Sequence, residues 1–277
     1  MQHTIHPFAN RLSCLALVLL ASCSSNKYAA TNNVYKKQAR DFSKVIKATP
    51  PQNQLFATLT PEQQEWVGSV NFGIRRPNYV ILHHTAQNST EQTVRTFTLA
   101  RTQVSSHYVV GRDGKVVQMV NDYLRAQHAG AGKWGSNRDL NSSSIGIEID
   151  NNGSEPYSDI QIESVIKLLL ELKTRYNIPA ENFIGHADIA PTRKPDPNNF
   201  PWKRLSENGL GLWYDETLEI PPLDFKPELA LRIIGYDISN LPAAIIAFKR
   251  HFVQADITPV LTESDKAILY NLQKKYL

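Results

Sequence analysis

The stretch Phe183-Ile-Gly-His-Ala-Asp-Ile-Ala-Pro-Thr-Arg-Lys-Pro-Asp-Pro197 places three different chemical groups close together in the chain. A short apolar strand is predicted to end at His186, and prolines restrict the loop that presents Lys194 and Asp196. An imidazole, an ammonium and a carboxylate therefore lie within eleven residues. Imidazole and carboxylate are both zinc ligands in proteins. We predict that His186 and Asp196 bind zinc and that Lys194 stabilises an oxyanion beside it.

A catalytic zinc site uses three protein ligands and keeps one position open, so a third ligand is needed. The apolar run Asn78-Tyr-Val-Ile-Leu-His-His-Thr85 is typical of a buried strand and ends with His83 and His84. Neighbouring strand residues point to opposite faces, so one of these two histidines can serve. Residue types alone also allow hydrogen-bonded, purely structural histidines at such strand ends.

A candidate proton carrier lies on another predicted strand, Ser144-Ile-Gly-Ile-Glu-Ile-Asp150. Alternation along this strand puts Glu148 on the face opposite its isoleucine neighbours. A carboxylate beside a metal-bound water can shuttle the proton during hydrolysis. The alternative is that Glu148 is a half-exposed, solvated side chain.

The order of predicted elements indicates an α/β fold, a mixed β-sheet flanked by helices. A helix is expected at 90–103, and the Asp113-Gly114 turn predicts a hairpin at 107–120. The strongest helical pattern runs from Ser158 to Tyr176, with a capping box expected between Ser158 and Gln161.

After Trp202 the chain changes character, because Gly and Pro mark a linker. Three short amphipathic segments follow, at Glu228–Gly235, Leu241–Phe252 and Thr262–Tyr276. Each is too short to be stable alone, so we predict a three-helix module with one small core.

The N-terminus reads as a lipoprotein signal peptide. The apolar run Leu12–Ala21 is shorter than a membrane span, and Leu20-Ala-Ser-Cys23 resembles a bacterial lipobox. We expect cleavage before Cys23, acylation of its thiol and its new amino group, palmitate included, and an outer-membrane lipoprotein with its catalytic domain in the periplasm. Ser24 supports the outer membrane, because retained lipoproteins usually carry Asp there. The two cysteines, Cys14 and Cys23, then leave no thiol for a disulfide or a nucleophile.

Composition excludes one broad class of partner. The chain of 277 residues carries 30 Lys+Arg against 26 Asp+Glu without a basic stripe, so nucleic-acid binding is not expected. The predicted domains are a signal peptide at 1–22, a polar tether at 23–60, a catalytic domain at 61–206, a linker at 207–225 and the three-helix module at 226–277.

Five segments between Tyr79 and Asp196 resemble, in the same order, the zinc-dependent N-acetylmuramoyl-L-alanine amidases of the Amidase_2 type. This superfamily also contains the peptidoglycan recognition proteins. The segments are Val80-Ile-Leu-His-His-Thr, Ser106-His-Tyr-Val-Val, Gln127-His-Ala-Gly, Ser144-Ile-Gly-Ile-Glu-Ile and Gly185-His-Ala-Asp-Ile-Ala-Pro-Thr-Arg-Lys-Pro-Asp-Pro.

The resemblance implies a set of roles for this chain. His83 becomes the third zinc ligand beside His186 and Asp196, and Glu148 and Lys194 become the catalytic residues. The implied reaction is hydrolysis of the amide between the lactyl group of N-acetylmuramic acid and L-alanine of the peptidoglycan stem peptide. The implied partners are peptidoglycan and its muropeptides, and we expect a monomer. The alternative from another functional class is a non-catalytic peptidoglycan recognition or tethering lipoprotein.

The same resemblance suggests further residues near the substrate. His84 is expected to form a wall of the site, and His128 to contact substrate in the His-Ala-Gly loop. Trp134 is compatible with stacking on a sugar or with pinning its loop, and Tyr108 with the cleft or with core packing. The C-terminal segment resembles a peptidoglycan-binding module, with a packed appendage as the alternative. Lys249 stands where such modules usually carry Gln.

Overall fold

The computed structural model describes residues 26–48, 67, 69 and 73–277. The signal peptide and Cys23 lie outside these residues. The chain divides into two compact units, Met1–Val70 and Asn71–Leu277. Across the described residues, no helix combines the length and apolar character needed to cross a membrane.

The first unit contains helix α1, Ala29–Ala48. It lies inside the segment expected to be an irregular polar tether. The sequence reasoning overlooked this helix because its few apolar residues are dispersed among Lys, Asn and Gln, although they recur with helical spacing.

A five-stranded mixed sheet forms the centre of the second unit, as predicted. Its strands are β1 Tyr79–His84, β2 Tyr108–Val110, β3 Val116–Gln118, β4 Ser144–Ile149 and β5 Phe183–Gly185. The spatial order is β3-β2-β4-β1-β5. Strands β2 and β3 form the predicted antiparallel hairpin, whereas β1 is parallel to β4 and β5, and β2 is parallel to β4.

Helices connect and cover these strands. They are α2 Thr90–Phe97, α3 Leu140–Ser143, α4 Asp159–Tyr176, α5 His186–Ile189, α6 Trp202–Ser206, α7 Pro227–Ile234, α8 Leu241–Phe248 and α9 Glu263–Lys275. Helix α8 continues into a π-helical turn, Lys249–Val253.

The start of α4 differs in one detail from the predicted capping box. The Ser158 hydroxyl accepts from the Gln161 backbone N–H at 3.3 Å, which is half of the box. The Gln161 side chain instead donates to the carbonyls of Val110 and Asp150, at 3.3 and 2.9 Å. Gln161 therefore joins the helix to the sheet through two buried backbone carbonyls.

The two faces of the sheet are covered by different parts of the chain. Val80 and Leu82 of β1 pack in one core with the isoleucines of β4 and the apolar stripe of α4. Ile81 of β1 belongs to a second core, which also contains Trp134 and the buried residues of α7, α8 and α9. Alternation along the strands therefore assigns His83 and Glu148 to the face that the C-terminal helices cover.

The C-terminal helices belong to the same compact unit as the sheet. The first part of the segment expected to be a linker is packed, since Leu210 is fully buried and Trp213 contacts both cores, whereas Ile220 and Leu223 farther along it are exposed. Gly235 approaches the Trp134 ring so closely that a Cβ there would lie 2.4 Å from it. The backbone N–H of Gly135 also donates to the Gly235 carbonyl at 2.7 Å, so the module is joined to the sheet domain by both side chain and backbone.

Candidate metal centre

Parallel strands bring the two predicted histidine ligands together. Leu82 of β1 is paired with Gly185 of β5, so His83 and His186 follow at the same edge of the sheet. The carboxyl ends of parallel strands are the usual position of ligand sites in such sheets. Asp196 arrives from the loop after α5, whose backbone returns to the helix where the Ala187 N–H donates to the Asp196 carbonyl at 2.7 Å.

Three potential ligand atoms converge at this edge. His83 Nδ1 lies 2.9 Å from His186 Nδ1 and 3.2 Å from Asp196 Oδ2, and His186 Nδ1 lies 3.0 Å from the same oxygen. All three residues are buried, with exposed fractions of 2%, 4% and 6%. Within the described part of the chain, this is the group of His, Cys, Asp and Glu side chains positioned to hold a metal ion.

The tautomer of His186 follows from its second nitrogen. His186 Nε2 lies 3.2 Å from the carbonyl oxygen of Ala129, and a carbonyl can only accept. Nε2 must therefore carry the proton, and the neutral ring presents an unprotonated Nδ1 to the cluster.

A longer chain of hydrogen bonds assigns the tautomer of His83. The Ser144 hydroxyl donates to the Leu140 carbonyl, so it accepts from His128 Nε2, at 3.2 Å. His128 Nδ1 is then an acceptor, and His83 Nε2 donates to it at 3.1 Å. The Nδ1 of His83 is left without a proton, facing His186 and Asp196.

Burial and neighbouring histidines keep both His83 and His128 neutral. Burial, together with the neighbouring His186, lowers the pKa of His83 to about 4. Burial and the adjacent His83 likewise hold the pKa of His128 well below its usual range. In the tautomers assigned above, the Nδ1 atoms of two imidazoles and a carboxylate oxygen face one another, and their lone pairs repel. A cation between them removes this repulsion, so the arrangement is suited to a divalent metal ion.

Glu148 lies directly beside this cluster. His83 and Glu148 are register partners on the parallel strands β1 and β4, so their side chains project from the same face of the sheet. Glu148 is half-buried, whereas its neighbours Ile147 and Ile149 are fully buried in the opposite core. Burial and the charge of Asp196 raise the pKa of Glu148 to about 8, against an opposing effect of Lys194. A carboxyl group with a pKa near neutrality is suited to accept and return a proton.

Lys194 is half-buried and close enough to act on both functional groups. Its positive charge opposes the rise in the pKa of Glu148 and contributes to the lowered pKa of His83. The Lys194 backbone N–H donates to the Ala190 carbonyl at 3.0 Å, which fixes the loop between α5 and Asp196. Its ammonium can therefore stabilise negative charge that develops at this edge of the sheet.

His84 lies outside the ligand cluster. Its Nδ1 accepts from the Asn198 backbone N–H at 3.1 Å, and its ring packs where a Cβ on Gly153 would lie 2.9 Å away. His84 thus supports the loops around the site.

Two of the three predicted substrate contacts are corrected by burial and hydrogen bonding. His128 contacts His83 and Ser144 through its two ring nitrogens, so neither nitrogen remains for substrate. Tyr108 is 6% exposed, packs in the α4 core and donates its hydroxyl proton to Asp122 at 2.8 Å. The cleft alternative for Tyr108 is therefore wrong, because its polar end is already satisfied inside the protein.

Trp134 is the third correction. It is 6% exposed and stands edge-on to the Tyr236 ring, with 5.0 Å between the ring centroids. A ring enclosed in this way cannot stack on a sugar. Trp134 pins its loop against the C-terminal helices, which is the other alternative that the sequence allowed.

Some residues that organise the centre were missed by the sequence reasoning. Asp188 accepts from the Gly185 N–H at 2.7 Å, from the Tyr236 hydroxyl at 2.8 Å, and contacts His251 Nδ1 at 2.8 Å. Asp188 follows His186 by two residues, but no local pattern links it to side chains 48 and 63 residues away. For Ser144, the weak signal was a hydroxyl two residues before Gly146, whose missing Cβ leaves room for the His128 ring.

Comparison with known proteins connects this geometry to a family. A family model described as N-acetylmuramoyl-L-alanine amidase, Amidase_2, matches residues 73–199. The chain is 32% identical over 234 residues to the N-acetylmuramoyl-L-alanine amidase AmiD of Escherichia coli, covering 73% of this chain and 84% of AmiD. It is 40% identical over 108 residues to the 1,6-anhydro-N-acetylmuramyl-L-alanine amidase AmpD of Enterobacter cloacae, covering 39% of this chain and 58% of AmpD.

Solved structures agree with these matches. The E. coli AmiD complex with anhydro-N-acetylmuramic acid-L-Ala-D-gamma-Glu-L-Lys superposes with a TM-score of 0.66 at 29% identity, covering 77% of this chain and 95% of AmiD. AMPDH3 of Pseudomonas aeruginosa gives a TM-score of 0.67 at 28% identity, covering 79% and 99%. Both cover more of the chain than the family model does. From the sheet, the site and these matches, we conclude that the chain belongs to the Amidase_2 family of N-acetylmuramoyl-L-alanine amidases.

Proposed function

We propose that this protein is a zinc-dependent N-acetylmuramoyl-L-alanine amidase that releases stem peptides from peptidoglycan or its muropeptides. The bond cleaved is the amide between the lactyl group of N-acetylmuramic acid and L-alanine. The observation that carries the proposal is the convergence of three unprotonated ligand atoms beside Glu148. The substrate named in the AmiD complex, an anhydromuramyl peptide, supports the choice of bond.

The ligand set favours zinc. Two imidazole nitrogens and one carboxylate oxygen, plus one open position, is a donor combination found in catalytic zinc sites. Tetrahedral ligands at zinc–nitrogen distances of about 2.0–2.1 Å are separated from one another by about 3.3 Å. The observed separations of 2.9–3.2 Å are close to that value. His83, His186 and Asp196 would hold the ion.

The chain's own residues then divide the work of hydrolysis. When bound, zinc supplies a Lewis acid that makes water more acidic and the scissile carbonyl more electrophilic. Glu148 accepts the proton that the attacking water loses, and later donates it to the departing amine nitrogen of L-alanine. Lys194 places positive charge near the oxygen that becomes anionic in the tetrahedral intermediate. One proton is thereby moved from water to the amine nitrogen, which gives a carboxylic acid and a peptide with a free amine. The acid then loses its remaining proton to the amine or to solvent and becomes a carboxylate.

We also propose that the protein is a lipid-anchored periplasmic enzyme of the outer membrane. The support is the lipobox-like Leu20-Ala-Ser-Cys23 and the Ser24 that follows it. Labelling of expressed protein with a radioactive fatty acid tests this anchor directly. Labelling should depend on Cys23, and a Cys23→Ala chain should remain unlabelled.

The amidase proposal is tested by incubating the purified protein with purified cell wall, with and without a chelator. Free stem peptides with an N-terminal L-alanine should accumulate, should disappear with chelator and should return when zinc is restored. Glu148→Ala should retain bound zinc and lose about 100- to 10,000-fold in turnover. Wall that is bound but never cut by the zinc-loaded protein would instead support a recognition module.

A further inference from the structure

Helix α1 has two chemically distinct sides. At 100° per residue, its larger apolar side chains fall within one sector of the helix. These residues are Val34, Tyr35, Phe42, Val45 and Ile46. The basic residues fall in the opposite sector. They are Lys36, Lys37, Arg40, Lys44 and Lys47.

The apolar side is open to solvent. Val34, Phe42, Val45 and Ile46 are 58%, 55%, 61% and 70% exposed. Four large apolar side chains on one face of a surface helix indicate a contact with another apolar phase or partner. Helices in proteins gain most of their stability by packing an amphipathic face, so such a contact would also stabilise α1.

The charge of the other side selects the kind of partner. Asp41 is the one acidic residue of the helix, and it is already paired with Lys37 and Lys44, at 2.8 and 3.3 Å. The remaining positive charge lies opposite the apolar sector and along its edges. An apolar sector backed by basic residues is the pattern of helices that lie in the interface of an anionic membrane.

We infer that α1 lies on the surface of an anionic phospholipid membrane, with its apolar side among the acyl chains and its basic residues at the lipid phosphates. The proposed anchor at Cys23 lies six residues before the helix, a span of at most about 20 Å when extended. The argument for α1 itself rests on its two faces and does not require the anchor.

The inference is tested with the chain from Ser24 to Leu277, produced without an acyl group. This chain should co-sediment with vesicles of phosphatidylethanolamine and phosphatidylglycerol, whereas it should not co-sediment with phosphatidylcholine vesicles. Binding should weaken steeply between low and physiological salt, because the phosphate contacts are screened. Circular dichroism should show added helix when the anionic vesicles are present.

Two sets of variants separate the contributions. Phe42→Ser with Ile46→Ser should abolish vesicle binding. Lys36→Gln with Arg40→Gln and Lys47→Gln should weaken it on the order of 100-fold, since each basic residue near an anionic surface contributes to binding. Arg101→Gln with Lys115→Gln and Lys167→Gln makes the same charge change on exposed residues of the other unit and should leave binding intact.

All of these variants should digest cell wall at the rate of the parent chain, because they leave the metal centre untouched. This readout separates a failure of the membrane inference from a failure of the amidase proposal. The membrane inference is overturned if anionic vesicles do not bind the chain, if the control triple variant weakens binding equally, or if α1 substitutions alter sedimentation with purified wall but not with vesicles.

Discussion

His128 contacts the candidate metal centre through the ring of His83. Its Nδ1 accepts the Nε2 proton of His83, and Ser144 determines that direction. Gly146 makes room for the ring, since a Cβ there would lie 2.3 Å from it. Ligand histidines commonly rely on such a partner to fix the nitrogen that faces the metal.

Replacing His128 should therefore change metal affinity according to hydrogen-bonding capacity. His128→Leu removes the acceptor and should weaken zinc binding about 10- to 100-fold. His128→Asn keeps an oxygen acceptor near the position of Nδ1 and should recover most of that loss. Competition titration with a chromogenic chelator measures both affinities, and urea unfolding checks that the variants fold. Equal losses in the two variants would show that His128 acts by packing alone.

The raised pKa of Glu148 predicts a pH-dependent stability of the metal-free protein. Its folded pKa of about 8 lies above the ordinary value of 4.5. Between these values the folded state holds more protons than the unfolded state, so stability falls as pH rises, and it levels off above the folded pKa. Glu148→Gln removes this dependence and should gain stability relative to the parent from pH 5 to pH 9.

Urea unfolding of both chelator-treated proteins at pH 5, 7 and 9 measures that difference. Asp113→Asn, an acidic residue in the exposed hairpin turn, is a suitable control. A difference between Glu148→Gln and the parent that stays constant with pH would show that Glu148 is ionised throughout this range.

Among the secondary-structure elements, the π-helical turn after α8 contains an unusual buried cation. Lys249 is fully buried, and its ammonium contacts Asp265 at 3.1 Å and the Val260 carbonyl at 2.7 Å. It also contacts Asp256 at 2.5 Å. Asp265 is in turn the capping residue at the start of α9. A single side chain thus joins the end of α8 to the beginning of α9.

Lys249→Met should destabilise the protein by about 3–5 kcal/mol, because it leaves the buried carboxylate of Asp265 without its cation. Lys266→Met is the matched control. Lys266 pairs with Glu263 at 2.7 Å on the surface of the same helix, and its loss should cost at most about 1 kcal/mol. Urea midpoints of the two variants give the comparison. If both variants lost a similarly small amount of stability, the Asp265 carboxyl would be either protonated or hydrated once Lys249 is removed.

The elements that the sequence predicted well are those whose signals are local. The β2–β3 hairpin follows from Asp113-Gly114, and α4 follows from an apolar period sustained over 18 residues. The ligands and Glu148 could be named because they lie in the motifs of a known family. The sequence could not choose between the alternatives for Trp134 and Tyr108, and it did not predict that His128 contacts His83, because these roles depend on partners from other elements. Burial of these rings is decided by tertiary packing, which no spacing along the chain reports.

For the whole molecule, the shared core predicts that the C-terminal helices are required for the folded catalytic unit. A chain that ends at Phe225 would expose the residues of β1, β5 and the Trp134 loop that pack against α7, α8 and α9. It would also remove Tyr236 and His251 from Asp188. We expect that this truncated chain aggregates or loses its cooperative unfolding transition.

Expression yield, gel filtration and urea unfolding of the truncated chain test this requirement. Trp134→Ala in the complete chain disturbs the same packing less severely. We expect it to lower the free energy of unfolding by about 3–5 kcal/mol. A truncated chain that folds and digests wall normally would instead identify 226–277 as an independent module, as the sequence first suggested.

Helix α5 has a further thermodynamic consequence. It is four residues long, begins with the candidate ligand His186 and carries Asp188, which contacts side chains of the C-terminal segment. Occupancy of the metal position and docking of those helices therefore constrain the same short segment from two sides. Linkage is reciprocal. If a bound ion stabilises the docking of α7 and α8 by a given free energy, the docked helices strengthen metal binding by the same free energy. Hydrogen exchange in α7 and α8 should slow when zinc is added.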